Sequence, residues 1–209
     1  MIFFDCDVAP SPRLVRMFLA EKNIQVEVVN VDLRGGEHLK PRFRQINPYC
    51  TVPVIETDGG DRITSTQGCW RYLEEIQPSP PLLGETKVEK AIISDLIWHI
   101  ETDGFCAIAE ALRNSATRLQ GRALTGPDNY EQNTDLAERG KKRAVIFLER
   151  LEDFLGDKDY MAGSVFTAVD IYTFVTVEFA SRIKIGIPKS STRVLDWHKR
   201  VSSRPSSKL

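Results

Sequence analysis

A chain of 209 residues is long enough to bury one large core or two small ones without disulfide or metal support. Its composition, 42% apolar and 27% charged, is that of ordinary globular domains and excludes the disordered and fibrous classes. The 28 basic side chains are balanced by 29 acidic ones, so there is no field of one sign to attract nucleic acid or an anionic membrane surface.

The first third alternates strand-like runs with helical patterns. Ile2-Phe3-Phe4 is a short apolar run, Asp7 to Pro12 reads as a loop, and Leu14, Val15, Phe18 and Leu19 recur with helical spacing before Asn23. Val26, Val28, Val29 and Val31 form a β-branched run that Arg34-Gly35-Gly36 breaks, and Leu39 to Ile46 can make a short helix ending at Asn47-Pro48. Val52 to Ile55 and Arg62 to Thr64 flank Asp58-Gly59-Gly60, a hairpin signal, and Thr66 to Ile76 reads as a helix closed by Pro78. This βαβ, short helix, ββα order predicts a small mixed sheet with helices on its faces.

The run from Pro78 to Gly84 cannot continue a helix and reads as a linker. Beyond it Val88, Ile92, Leu96 and Ile100 step by four, as do Leu136, Gly140, Ala144 and Leu148, with Leu151, Phe147 and Phe154 alongside, which predicts a helical bundle. The expected domains are 1–78, a linker at 79–86, and an all-helical 87–209. Thr167-Ala168-Val169-Asp170 has capping-box spacing, with Asp in place of the usual Glu.

Cys6, Cys50, Cys69 and Cys106 are scattered, with no C-x-x-C pair and no metal-ligand spacing alongside His38, His99 and His198, so neither a metal site nor a redox dithiol is expected. Three apolar residues before Asp5 are too few for a signal-peptide core, and the apolar stretch from Phe166 to Ala180 is interrupted by Asp170 and Glu178. The expectation is a reduced, cytoplasmic protein with no nucleic-acid or membrane partner.

Four places can carry chemistry, and each has a structural alternative. Ser11-Pro12 opens the first helix as an N-cap hydroxyl followed by proline at the first helical position. The same helix end directs free N–H groups and positive potential at an anion such as a thiolate. Proline inside Val52-Pro53-Val54 implies either an edge strand or a cis Val52-Pro53 bond, and the cis turn leaves the Val52 N–H and C=O free for an extended peptide-like ligand. Ser65-Thr66 either caps the third helix or binds a ligand carboxylate there. His38 lies among Arg34, Lys40, Arg42 and Arg44 in what is either a solvated surface loop or an anion contact.

Taken in order, these segments resemble the cytosolic glutathione S-transferases over nearly the whole chain. Arg13 to Lys22 is similar to the family's first helix. Gly36-Glu37-His38-Leu39-Lys40, Ile46-Asn47-Pro48 and Val52-Pro53-Val54 are similar to its second helix and cis-proline turn. Arg71-Tyr72-Leu73-Glu74 fits the third helix, and Ala162-Gly163, Thr167 to Asp170, Trp197, Arg200-Val201 and Arg204-Pro205-Ser206 fit the C-terminal pattern.

The resemblance implies a thioredoxin-like N-terminal domain, an all-helical C-terminal domain, a homodimer, and glutathione as a bound co-substrate without a metal. It implies conjugation of the glutathione thiolate to a small electrophile, a detoxification chemistry. The alternatives are a non-catalytic interaction protein of the same fold and a glutathione-dependent disulfide reductase acting through Cys6. His38 corresponds to a histidine that contacts the glycine carboxylate in theta-like and phi-like classes. Ser65 stands where the family usually has an acidic residue for the γ-glutamyl ammonium, and Thr66 where it has the hydroxyl for the carboxylate. Ser11 is the expected catalytic hydroxyl, although some classes place that residue in register with Ala9; His99, Asp103, Phe105 and Cys106 are candidate lining for the electrophile.

Overall fold

The computed structural model describes residues 1–209 and divides them into two compact units. One comprises residues 1–80 with 125–128 and 209, the other residues 81–124 and 129–208. The first unit runs β1 (Ile2–Asp5), α1 (Pro10–Glu21), β2 (Glu27–Asn30), α2 (Pro41–Ile46), β3 (Val54–Glu56), β4 (Arg62–Ile63) and α3 (Thr66–Ile76). Its sheet has the order β2-β1-β3-β4, with β1 parallel to β2 and antiparallel to β3, and β3 antiparallel to β4. This is the mixed sheet that the order of elements predicts, in the thioredoxin-like arrangement that the resemblance implies.

Side-chain alternation along β1 divides the core. Phe4, paired with Val54 across the ladder, joins Cys6, Val31, Phe43 and Val52 on the face covered by α2. Phe3 and Ile55, the next pair, project to the opposite face, where α1 and α3 pack and Phe18 stacks on Trp70 with ring centroids 5.3 Å apart. Trp70 Nε1 donates to the Leu14 carbonyl at 3.2 Å, so the buried indole is also satisfied. At the far end of α1 the fully buried Lys22 ammonium meets Glu74 at 2.5 Å and donates to the Pro78 and Pro80 carbonyls, tying α1, α3 and the proline-rich segment together.

The second unit is all helix: α4 (Lys87–His99), a π-helical turn over Ile100–Phe105, α5 (Cys106–Ser115), α6 (Thr134–Leu155), α7 (Ala168–Ala180) and α8 (Thr192–Ser202). No helix is long and apolar enough to cross a membrane. α5 and α6 approach closely because Gly140 has no side chain. A Cβ there would lie 2.7 Å from both the Ala107 carbonyl oxygen and the Ala111 nitrogen.

The stripe Val88, Ile92, Leu96 is not the packed face of α4. Val88 and Ile92 are exposed and Leu96 half-buried, while Ile93 and Ile97 are buried instead; of the expected stripe only Ile100, just past the end of α4, is buried. Apolar side chains occupy both stripes of this helix, so periodicity alone does not choose between them; tertiary packing does. The cap that starts α4 is a capping box, with Thr86 Oγ1 accepting from Glu89 N–H and Glu89 accepting from Thr86 N–H, a T-x-x-E signal readable in the sequence.

α7 is buried on nearly every side, and Asp170 on its first turn is completely enclosed. Its carboxylate accepts from the N–H groups of Met161 and Thr167, from the Thr167 hydroxyl, and from Trp197 Nε1 at 2.8 Å. Burial pushes the carboxyl above the ordinary range, and these donors pull it back. The expected capping box is thus also the joint between α7, α8 and the segment before α7. Asp170→Ala strands three buried N–H donors and is expected to lower stability by about 3–5 kcal/mol. Denaturant unfolding measures this, and a loss below about 1 kcal/mol would show that the joint is dispensable.

Candidate functional site

Strand register gathers the candidate residues of the first unit. Asp5, the last residue of β1, pairs with Asn30, the last of β2, so the segments leaving both strands depart from the same end of the sheet. Phe4 pairs with Val54, the first residue of β3, which puts Val52 and Pro53 at that end. Ile63 of β4 pairs with Ile55, and the chain continues in the same direction to the N-terminus of α3. The N-termini of α1 and α3, the 31–40 loop and the 47–53 turn therefore share one sheet end, as ligand-binding segments do beyond the carboxyl ends of parallel strands.

The start of α1 differs from the sequence expectation. The N-cap is Ala9, not Ser11; Pro10 occupies the first helical position, Ser11 the second and Pro12 the third. Pro10 is itself pre-set to helical φ, so the helix begins one proline earlier than Ser11-Pro12 alone suggests. The chemical consequence is specific. Ala9 N–H is taken by the Cys6 carbonyl at 3.0 Å, and neither proline has an N–H. Among the first helical residues, through Pro12, Ser11 alone keeps an unbonded backbone donor, and its hydroxyl is also unbonded and half-exposed. Two donors from one residue thus sit at the positive end of the α1 dipole.

The turn before β3 is organised by Asn47, which is fully buried. Its Nδ2 donates to the Thr51 carbonyl at 2.8 Å and to the Thr51 hydroxyl at 3.0 Å, while its Oδ1 accepts from Tyr49 N–H. Cys50 N–H donates to the Asn47 carbonyl, and Cys50 adopts a left-handed conformation with φ 54°. The chain leaves this turn through a cis Val52–Pro53 peptide. β3 begins only at Val54, so proline precedes an inner strand and does not interrupt an edge strand. Val52 is buried by its side chain, yet neither its N–H nor its C=O has a hydrogen-bond partner in the chain. The Asn-Pro dipeptide marks the turn in the sequence, but nothing local reveals that Asn47 is its buried organiser.

At α3, Ser65 is the N-cap and its Oγ accepts from Gly68 N–H at 3.1 Å. Gly68 permits this approach, because a Cβ would lie 2.8 Å from Ser65 Oγ. Thr66 is the first helical residue, with its N–H and hydroxyl unbonded. Ser65 therefore performs the capping role, and Thr66 is left free to meet an anion. His38 is half-buried in a 3₁₀ turn over Glu37–Leu39 that Gly36 opens with φ 72°, and the exposed Lys40 and Arg42 add positive charge beside it.

The remaining candidates separate. Cys6 is buried at the end of β1, and Cys69, whose thiol burial pushes up to about 12, is a core residue. In the second unit His99 and Asp103 line a surface cavity of about 400 Å³ with Arg143 and Arg150. Phe105 does not; it packs edge-on to Tyr172 and tilted against Phe179.

Comparison with known proteins agrees with this architecture. Residues 10–76 match the family model of the glutathione S-transferase N-terminal domain, and residues 120–208 that of the C-terminal domain. Glutathione S-transferase 2 of Saccharomyces cerevisiae is 30% identical over 211 residues, covering 100% of this chain and 88% of that protein. The crystal structure of Gtt2 from Saccharomyces cerevisiae superposes with a TM-score of 0.91 at 30% identity, covering 100% of this chain and 99% of that one. A glutathione S-transferase domain-containing protein of Marinobacter aquaeolei VT8 superposes with a TM-score of 0.90 at 32% identity and 99% coverage of each chain. The chain belongs to the glutathione S-transferase family of enzymes.

Asn47→Ala removes the bonds that shape the 47–51 turn and leaves the Tyr49 N–H without its acceptor. It is expected to cost about 2–3 kcal/mol of stability and to raise amide exchange at Tyr49. Hydrogen exchange that stays at the wild-type rate at this residue would show that the turn holds without it.

Proposed function

We propose that residues 1–78 bind glutathione at this sheet end and that Ser11 holds its sulfur as the thiolate, which attacks a small electrophilic substrate in a conjugation reaction. The observation that carries the reading is the convergence at one sheet end of unbonded donors and acceptors suited to a short anionic peptide: Ser11, Val52, Thr66 and the cationic surroundings of His38. The Val52 N–H and C=O, next to Pro53, can pair with the cysteinyl main chain as an added strand does. Thr66, at the N-terminus of α3 that Ser65 caps, suits the γ-glutamyl carboxylate, and His38 with Lys40 and Arg42 suits the glycine carboxylate.

Catalysis in this reading is thiolate stabilisation and proximity, with no metal. A thiol of pKa about 8.5 is ~3% ionised at pH 7, and lowering it by roughly two pH units raises this to ~75%. The disulfide-reductase alternative loses support because Cys6 is buried. A homodimer is supported by the exposed apolar Val88, Ile92 and Trp98 on α4, which a second copy would cover. The proposed setting is cytoplasmic detoxification.

Retention on immobilised glutathione and elution by the free tripeptide test the reading, together with conjugation of a chromogenic aryl halide. A chain that passes through the column unretained would overturn it, and retention without turnover would favour the non-catalytic interaction protein. His38→Ala and Thr66→Ala each remove a charge-assisted hydrogen bond worth roughly 1.5–3 kcal/mol, so calorimetry should show glutathione binding weakened by about one to two decades in each. Unchanged affinity in both would refute the placement. Ser11→Ala is expected to raise the pKa of the bound thiol by ~1 pH unit, dropping the thiolate fraction at pH 7 from ~75% to about one quarter. Because the Ser11 hydroxyl caps nothing, stability should stay within about 0.5 kcal/mol of wild type. The thiolate absorbance titrated against pH at saturating glutathione reads the first effect, and thermal unfolding the second.

A further inference from the structure

One ion pair outside the set of ligand-facing residues is bonded to the loop that delivers α1 to the site. Asp5 closes β1 and is buried, its carboxyl side chain 4% exposed. Arg16 lies nearly two turns into α1, and helical side chains lean toward the N-terminus, so its guanidinium reaches back over the first turn. Arg16 Nη2 donates to Asp5 Oδ1 at 3.1 Å, and Arg16 Nε lies 2.9 Å from Asp5 Oδ2 as an ion-pair contact. Both peptide groups of Cys6 are bound into this pair. Cys6 N–H donates to Asp5 Oδ1 at 2.7 Å, and the Cys6 carbonyl accepts from Arg16 Nη2 at 3.4 Å and from Ala9 N–H at 3.0 Å.

The bond from Ala9 closes the turn that ends at the N-cap of α1, two residues before Ser11. Between this anchor and the helix lie Asp7 and Val8, both exposed, and Ala9, which packs against the same core as Cys6, so the ion pair adds a directional hold to that packing. A buried ion pair is a costly way to gain stability, because an apolar pair of the same shape serves as well; what it supplies is a defined geometry.

We propose that Asp5 and Arg16 are positioning residues of the active site, fixing the Cys6–Ala9 turn and hence the place of the Ser11 N–H and hydroxyl, without touching substrate. This rests on the reading of Ser11 as the thiolate donor. Its corollary is that the guanidinium and not charge alone matters, since an ammonium at position 16 keeps the attraction to Asp5 but does not present the fixed donor array that meets both the Asp5 carboxylate and the Cys6 carbonyl.

The test compares Arg16→Gln, Arg16→Lys and Asp5→Asn with Ser11→Ala, each titrated for bound thiolate at saturating glutathione and each measured for glutathione affinity and thermal midpoint. The expected result is a bound-thiol pKa raised by about 0.5–1 pH unit in Arg16→Gln and Asp5→Asn, which is a roughly 1.5- to 3-fold loss of thiolate at pH 7. A matching fall in kcat should accompany it, with glutathione affinity within about threefold of wild type. Arg16→Lys is expected to recover the thermal midpoint but not the thiol titration. If Arg16→Gln fails to fold, Arg16→Lys and Asp5→Asn decide the matter. Thiol titrations that superpose on wild type in the folded variants, with only the thermal midpoint lowered, would overturn the proposal and leave the pair a stabilising contact. An unshifted titration in Ser11→Ala, or a wild-type chain that binds no glutathione, would instead overturn the reading beneath it.

Discussion

The register of β1 between its two neighbours is the constraint on which the first unit depends. β1 runs parallel to β2 through the α1 crossover and antiparallel to β3, and this mixed pairing brings the ends of three strands and the beginning of a fourth to one edge. A slip of one residue between β1 and β3 would turn Phe4 and Val54 away from the α2 face and carry Val52 out of its core position. Burial of Phe4, Val54 and Val52 on one side, and of Phe3 and Ile55 on the other, is therefore the force that holds the site's geometry.

The groups at that edge are mostly uncharged: a backbone N–H and hydroxyl at Ser11, a bare peptide at Val52, and the N–H and hydroxyl of Thr66. Such donors keep their orientation without a counter-ion and need little reorganisation when negative charge arrives, which is the general advantage of preorganised dipoles over mobile charges. Cationic side chains cluster around His38, where Lys40 and Arg42 are exposed. At the start of α3, Ser65 spends its oxygen on the helix cap.

The helical unit is organised by a different device. Asp170 collects donors from Met161, Thr167 and Trp197 in the buried interior, and Gly140 lets the backbones of α5 and α6 approach closely. A Cβ at position 140 would meet the α5 backbone, and loss of the Asp170 carboxylate would strand the donors it gathers. The π-helical turn at Ile100–Phe105 belongs to the same logic: Gly104 lies so near the Phe147 ring that a Cβ would stand 2.6 Å from it, and the helix widens where α6 presses against it.

Much of this was legible in the amino-acid sequence, and the reason is local physics. α3 runs over Thr66–Ile76, as its hydroxyl cap and the later proline indicate, and the α7 capping box forms as its T-x-x-D spacing predicts. Gly and Pro punctuation, strand alternation and cap chemistry act over a few residues, so a few residues suffice to read them. What tertiary structure decided lies at longer range. α1 starts at Pro10 and frees Ser11 from capping because the Cys6 carbonyl claims the Ala9 N–H, and α4 buries Ile93 and Ile97 while Val88 and Ile92 stay outside because of where α7 lies. Asn47 and Arg16 show no sign of their roles in composition or spacing, and the spacing at Asp170 announces the cap but not its bonds to Met161 and Trp197, since these partners come within hydrogen-bond reach only through packing. The sequence by itself determined the elements and the residue types available for chemistry. Which of those residues stand at one sheet end with free donors followed only from strand register and burial, because hydrogen bonding is settled by distances that the linear chain does not contain.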